Sequence, residues 1–327
     1  MFIPHNLDPV SSSGPCERIR LPCCYVEGIM NRRSFLWRTG GVFLAVAATG
    51  APRRRMVIDA DTANEIDDLY AIVRALREPS FDVAALSSAQ WHTRLSPANS
   101  VKHSQRINDD LLRLLGRQDL PAPIGAEMIM GQPWGGDEPR DTPAARMVIR
   151  EAQSASSEKL TIVSIGAVTN VASALKLQPG IVPKVRCYCM AAQYDSSTGV
   201  WNKDEFNVRN DLNAFNYLLD LDGLELHIMP ANVCRKLVFD QVETLDGLKG
   251  KGGAWDYLAA RWLSHSPQAA KWIMWDLALI EALARPELAK EALFKTPPEN
   301  RRRDVWVYTD VDGEAMKHDW WAMARRG

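Results

Sequence analysis

Between positions 59 and 68, five of ten side chains are carboxylates: Asp59, Asp61, Glu65, Asp67 and Asp68. In front of them runs an apolar stretch, Met56-Val57-Ile58, that reads as the end of a buried strand. Behind them Ile66, Leu69, Tyr70, Val73 and Leu76 recur at helical spacing and leave one apolar face. The acids therefore crowd the point where a strand hands over to a helix, and in open α/β sheets that carboxyl end is where ligands bind. Carboxylates so close repel one another unless protonated, solvated or neutralised by a cation. A helix start that complements the backbone dipole would account for Asp67 and Asp68. It does not account for Asp59 and Asp61 at a strand end, so the stretch points to a divalent-cation site.

Further strand-then-helix patterns follow. Residues 81–92 read as a second strand ending in Gln90, Trp91 and His92, and residues 104–116 as a helix closed by Gly116. The Gly-, Pro- and acid-rich residues 131–143 form a long loop with the character of a lid. A strand over 160–165, a turn over 166–170 and a helix from Val171 repeat the opening architecture. Two more strands follow, in VPKVRCYCMAA and at 224–230, and DVWVYTDVDGEAM supplies a final strand and turn. Such alternation predicts an α/β fold with a doubly wound, mostly parallel sheet flanked by helices, and no linker divides residues 55–327. Cys187 and Cys189 alternate along an apolar run, which assigns them to strand packing rather than to a disulfide framework.

Residues 1–29 lack periodicity and precede a second methionine, Met30; they are expected to be upstream read-through or disordered. In residues 30–52 an Arg32-Arg33 pair precedes an apolar run over 41–48 and a small-residue end. That is the pattern of a twin-arginine-type signal peptide, far short of the ~20 apolar residues of a stable membrane span. It implies an exported protein, periplasmic or extracellular. With a net charge of −1 the chain has no basic excess to suggest nucleic acid.

Residues 199–215 offer Asn202, Glu205, Asn207, Asn210 and Asp211, acceptors and amide donors suited to gripping hydroxyls; an N-cap near Asp211 would explain that residue alone. Later, Asp276 follows Trp275 inside an apolar helical pattern, where an acid has to be solvated, paired or bound to a cation.

Together these pieces resemble the nucleoside hydrolase family of the inosine–uridine type. The resemblance rests on Asp59-x-Asp61, Asp67-Asp68, Gly166-Ala167-Val168-Thr169-Asn170, Glu205-Phe206-Asn207 with Asp211, and Asp276, in the family's order from about residue 56 to residue 288. It implies a calcium ion held by Asp61, Asp68, Asp276 and the backbone carbonyl of Thr169. It also implies hydrolysis of the N-glycosidic bond of ribonucleosides by a metal-activated water, with Asp61 as general base. Asp67, Glu205 and Asn207 would hold the ribose hydroxyls, with Asn202 and Gln90 standing in for two family asparagines, and Trp91, Trp201 or Trp275 would stack on the base. The expected partner is a small nucleoside or ribosyl substrate, and a homo-oligomer is compatible with the sequence. Departures mark a divergent subgroup: the turn over 62–66 is two residues longer, Trp275 stands where the family has a histidine that protonates purines, and Gly199 replaces a sugar-binding asparagine.

Asp59-Ala60-Asp61-Thr62 is also similar to haloacid dehalogenase phosphatases, but that reading leaves Glu205-Phe206-Asn207 and Asp276 unused. An EF-hand lacks its glycine at the sixth loop position. The alternative of a different class is a non-catalytic, calcium-dependent ribose- or nucleoside-binding protein.

Overall fold

Alternation along β1 (Arg54–Ala60) sends Met56, Ile58 and Ala60 into one apolar core and Val57 into another, on the opposite face of the sheet. A strand buried on both faces belongs to the middle of a parallel sheet. This is a computed structural model, and it describes residues 53–94, 96–154 and 158–326. The segments expected to be read-through and signal peptide lie outside the described residues.

After β1 the strands are β2 (Phe81–Ser88), β3 (Leu160–Ser164), β4 (Val185–Met190), β5 (Gln193–Asp195), β6 (Val200–Asn202), β7 (Glu225–Met229), β8 (Val238–Asp240), β9 (Lys271–Ile273), β10 (Ala289–Lys295) and β11 (Asp304–Val311). Seven of them form the central sheet in the order β10-β11-β7-β4-β3-β1-β2, parallel except for the antiparallel edge pair β10–β11. The chain leaves β1 first towards β2 and later returns on its other side with β3. That reversal is the switch point at which doubly wound sheets open a crevice. Asp61 and Gly166 stand just beyond the two strand ends. A Cβ on Gly166 would come within 3.0 Å of the Asp61 Cβ and 3.1 Å of the Ala89 Cβ, so the turn admits only glycine without a shift.

The helices are α1 (Asp67–Arg77), α2 (Ser100–Leu114), α3 (Pro143–Gln153), α4 (Thr169–Leu177), α5 (Phe206–Asn210), α6 (Leu212–Asp220), α7 (Ala231–Cys234), α8 (Gln241–Leu248), α9 (Gly253–His265), α10 (Trp275–Ala284) and α11 (Gly313–Arg326). α1, α9, α10 and α11 cover one sheet face; α3, α4 and α6 cover the other. The doubly wound α/β fold expected from the sequence is the fold observed. Cys187 and Cys189 are buried, unpaired, on one face of β4, as their alternation predicts. Among the described residues no helix is long and apolar enough to cross a membrane.

Three local expectations need correction. The chain does not stop at the turn after β11: Met316, Trp320, Trp321 and Met323 bury the face of a further helix, α11. Residues 131–142 are not a lid over the cleft described below. They fold on themselves through Gly131 N to Glu138 O (3.0 Å) and a Gln132–Gly135 bridge, Arg140 ties them to the Ile129 and Gly131 carbonyls, and Trp134 stays exposed. Asp276 lies in the first turn of α10, not its interior, because Lys271–Ile273 is a short strand paired with β8.

Candidate active site

Two helices deliver carboxylates to the switch point. Asp67 and Asp68 open α1, Asp276 opens α10, and neither helix has a side-chain cap. The uncapped first-turn N–H groups make an attractive place for anions, and the Asp276 amide donates to Asp67 Oδ2 at 2.9 Å. From that shared end the helices run in the same direction, since Arg74 of α1 next meets Glu281 of α10. Both positive helix ends therefore face the acids. Each contributes ~0.3–1 kcal/mol, up to ~2 where partly buried. Taking one carboxylate out of water costs several kcal/mol, so the dipoles alone do not hold this cluster ionised.

The acids are all but inaccessible: Asp61 is 2 % exposed, Asp67 0 %, Asp68 1 % and Asp276 4 %. One carboxylate oxygen on each of them has no hydrogen-bond donor. Oxygens of Asp67, Asp68 and Asp276 come within 4.8 Å of one another, the spacing of ligands around one ion. Burial pushes Asp61, Asp68 and Asp276 well above the usual carboxylate range, and the neighbouring acids push them further. Burial also raises Asp67 to about 6, the N–H of Asp276 opposing it. Half-buried Glu65 goes up to about 8 through burial and the charges of Asp67 and Glu205. Buried carboxylate oxygens that converge without a donor are what a hard cation takes. The residues fit a divalent metal.

Asp59 stands behind them. Ser87 Oγ and the Asn170 side chain donate to its Oδ1 at 2.6 and 2.9 Å, and burial raises it to about 6. Asn170 also bonds the Ser88 carbonyl and accepts from the Ala126 amide, so the first turn of α4 locks the ends of β1 and β2 together.

Opposite the acids, Glu205 caps α5 and accepts from the amides of Asn207, Val208 and Ala192 at 3.1–3.3 Å. Ala192 takes a left-handed φ of 59°, the one such non-glycine residue among those described. That strained geometry is characteristic of ligand-facing turns. The Asn207 side chain donates to the Met190 carbonyl at 3.0 Å, which fixes its orientation. Even with three amide donors, burial leaves Glu205 above its ordinary range.

Asp61, Asp67, Asp68, Asp276, Glu205 and Asn207 thus line one cleft, with Trp275, Phe206, Gln193, Asn64, Glu65 and Arg209 towards its remaining wall. Its cavity volume is about 220 Å³, room for a small ligand and a little below the ~300–1,000 Å³ of drug-sized sites.

Other expected site residues fall elsewhere. Gln90 points its amide at the Asn210 carbonyl (2.8 Å) and is absent from the lining. Asn202 is exposed on β6, and its Oδ1 accepts from the Asp204 amide at 2.7 Å. Thr169 begins α4, donates from its hydroxyl to Asp211 Oδ2 at 2.6 Å, and likewise is not in the lining. Asp211 is an N-cap, accepting from Ala214, and also binds the Met130 amide. Trp91 and Trp201 lie outside the lining, the latter bonded to the Lys295 carbonyl, and exposed His92 hydrogen-bonds Ser96 through its ring. Gln193 and Arg209 are cleft residues that sequence reasoning passed over. Arg209 sits four residues after the Glu205 cap, one helical turn on, and that spacing was the available signal.

The family model for the inosine-uridine preferring nucleoside hydrolases matches residues 56–324. Among curated proteins, the pyrimidine-specific ribonucleoside hydrolase RihB of Escherichia coli O157:H7 is 24 % identical over 217 residues, which span 61 % of this chain and 68 % of that protein. Among solved structures, the plant nucleoside hydrolase PpNRh1 superposes with a TM-score of 0.66 at 20 % identity, covering 84 % of this chain and 99 % of that one. An inosine-guanosine nucleoside hydrolase gives 0.66 at 19 % identity, again over 84 % and 99 %. The purine-preferring ribonucleoside hydrolase of Gardnerella vaginalis gives 0.63 at 18 %, over 84 % and 100 %.

Proposed function

This chain belongs to the inosine-uridine preferring nucleoside hydrolase family, and from that premise we propose a calcium-dependent cleavage of ribonucleosides to free base and ribose. The observation that carries the reading is the set of donorless, buried carboxylate oxygens on Asp61, Asp67, Asp68 and Asp276, facing Glu205 and Asn207 across one cleft. Asp61, Asp68 and Asp276, with the Thr169 carbonyl, would hold the ion, and Asp67 lies close enough to share it. When bound, the cation supplies concentrated positive charge that acidifies water and orients hydroxyls.

The chain's own groups do the rest. Asp61 takes the proton of the attacking water as general base. The new C–O bond forms at the anomeric carbon as the C–N bond breaks, and its electron pair leaves with the base. Asp67, Glu205 and Asn207 grip the ribose hydroxyls. Surrounding carboxylates stabilise an oxocarbenium-like transition state, as in other glycoside hydrolysis. We place the base against Trp275 and Phe206, with Gln193 and Arg209 at its polar edge.

The test is a panel of uridine, cytidine, inosine, adenosine and guanosine, assayed for free base with chelator and after calcium is restored. Calcium-restored release supports the reading. Calcium-dependent binding of nucleoside with no release would overturn it in favour of a binding protein. Export is a separate proposal, resting on Arg32-Arg33 and the apolar run over 41–48. Fractionation of cells expressing the full sequence checks it: protein confined to the cytoplasm contradicts it.

A further inference from the structure

A second acidic cluster lies between the same two helices, about two turns beyond the cleft. Arg74 of α1 is 1 % exposed and binds three carboxylates: Glu281 of α10 through Nε (2.8 Å), Glu78 through Nη1 (2.7 Å) and Asp319 of α11 through Nη2 (2.6 Å). Arg285, just past α10, binds Glu78 at 3.2 Å and Asp319 at 3.1 Å. Five charged side chains thus tie the far ends of α1 and α10 to each other and to α11. The near ends of α1 and α10 carry Asp67, Asp68 and Asp276, where the Asp276 amide donates to Asp67 Oδ2 and, among the described residues, no guanidinium joins the three.

That arrangement has a mechanical consequence. The carboxylates of the cleft repel one another, and on opening α1 and α10 would splay at that end. Two parallel helices pinned only by apolar packing can slide or roll, because such contacts are non-directional. A guanidinium engaged in three directions permits neither, since its planar fork fixes angle as well as distance. We propose that Arg74 is a positioning residue for the cation site: through Glu281 and Asp319 it sets the spacing and rotation of α1 against α10, and so the separation of Asp67 and Asp68 from Asp276. The inference rests on the reading of the cleft as a metal site.

The test measures calcium affinity by titration calorimetry on chelator-treated protein, alongside the melting temperature without metal. Wild type, Arg74→Lys, Asp319→Asn and Val305→Ala are compared; the last hollows the opposite core, where Val305 is 1 % exposed. Arg74→Lys keeps the charge and loses the fork. It is expected to weaken calcium binding about tenfold or more, the usual scale for residues that orient metal ligands. Asp319→Asn, the milder change on a partly exposed residue, is expected to weaken it measurably but less than Arg74→Lys does. Val305→Ala is expected to lower the melting temperature without changing calcium affinity. Unchanged affinity in Asp319→Asn, together with either unchanged affinity or failure to fold in Arg74→Lys, would overturn the proposal. A parallel loss of affinity in Val305→Ala would also overturn it, by showing that general destabilisation suffices. If wild type itself bound no calcium, the reading of the cleft would fail instead.

Discussion

The two ends of the α1–α10 pair hold acids in opposite circumstances. At the far end, Glu78, Glu281 and Asp319 meet Arg74 and Arg285. There burial opposes ionisation of Glu78, but hydrogen bonds from Arg74 and Ser80 and the Arg74 charge outweigh it and hold the group down at about 2. Glu281, with one oxygen unpartnered, still rises to about 7 because its burial exceeds the pull of Arg74. At the near end the same helices bring together Asp67, Asp68 and Asp276 beside Asp61, none of them in an ion pair among the described residues, and all four rise. Burial alone is therefore no sign of function. What separates a structural cluster from a binding one is whether the fold supplies the countercharge.

The largest expected effect that probes this contrast is on turnover. Asp61→Ala should lower kcat by about 10²–10⁴-fold, the usual range for loss of a general base, and should lower the melting temperature measured in calcium. An active variant with wild-type calcium response would remove Asp61 from both roles.

Next come substitutions that should act with opposite sign at the two ends. Without metal, Asp68→Asn relieves repulsion and should raise the melting temperature, while abolishing the increase that calcium gives wild type. Glu78→Gln should lower stability by about 1.5–3 kcal/mol, the scale of hydrogen bonds to charged groups. Its effect should fade in acid. The folded Glu78 titrates below its ordinary value of 4.5, so its contribution is present above that pH and is lost as pH falls towards about 2. Denaturant melts of both variants check the signs, and equal signs would break the comparison.

A smaller effect concerns the pH dependence of the metal-free protein. Asp59 and Asp67 titrate at about 6 in the fold, above the ordinary 3.8. The native state thus holds protons that the unfolded chain has released, and this stability is full below about pH 3.8 and lost as pH rises through 6. Metal-free melting temperature should therefore decline over that interval once other groups are held constant by comparing wild type with Asp67→Asn. Calcium protection should grow over the same interval. A flat difference between the two proteins would contradict the assignment of Asp67 to the raised cluster.

The smallest effect is predicted where an expected site residue fell outside the cleft. Asn202→Ala, on an exposed strand, should change kcat/KM by no more than about twofold, since surface changes stay within ~0.5 kcal/mol. A loss of tenfold or more would return Asn202 to the site.

The near end was largely legible in sequence because its chemistry is local. The strand end, the helix start and the Glu205 cap each span a few residues, and their order along the chain carried the family resemblance. Asp276 was recognisable as an acid without an obvious partner, though not as a first-turn residue, because the short strand before α10 has too few residues to show a period. The far cluster was invisible. Arg74 and Glu281 are 207 positions apart and each reads as an ordinary charge on a helix. Gln90 was misplaced for a related reason: at a strand end one residue's difference in position turns a side chain from cleft to neighbour, and here it turns to Asn210.

On the proposed reading, calcium supplies the countercharge that no ion pair among the described residues gives the near end. The most direct test is calorimetric titration of calcium into chelator-treated wild type and Asp276→Asn. Wild type is expected to bind one equivalent, with hydrolysis of the responsive nucleoside returning along the same isotherm, and the variant is expected to bind none. Full hydrolysis in excess chelator, with no heat of calcium binding, would contradict it.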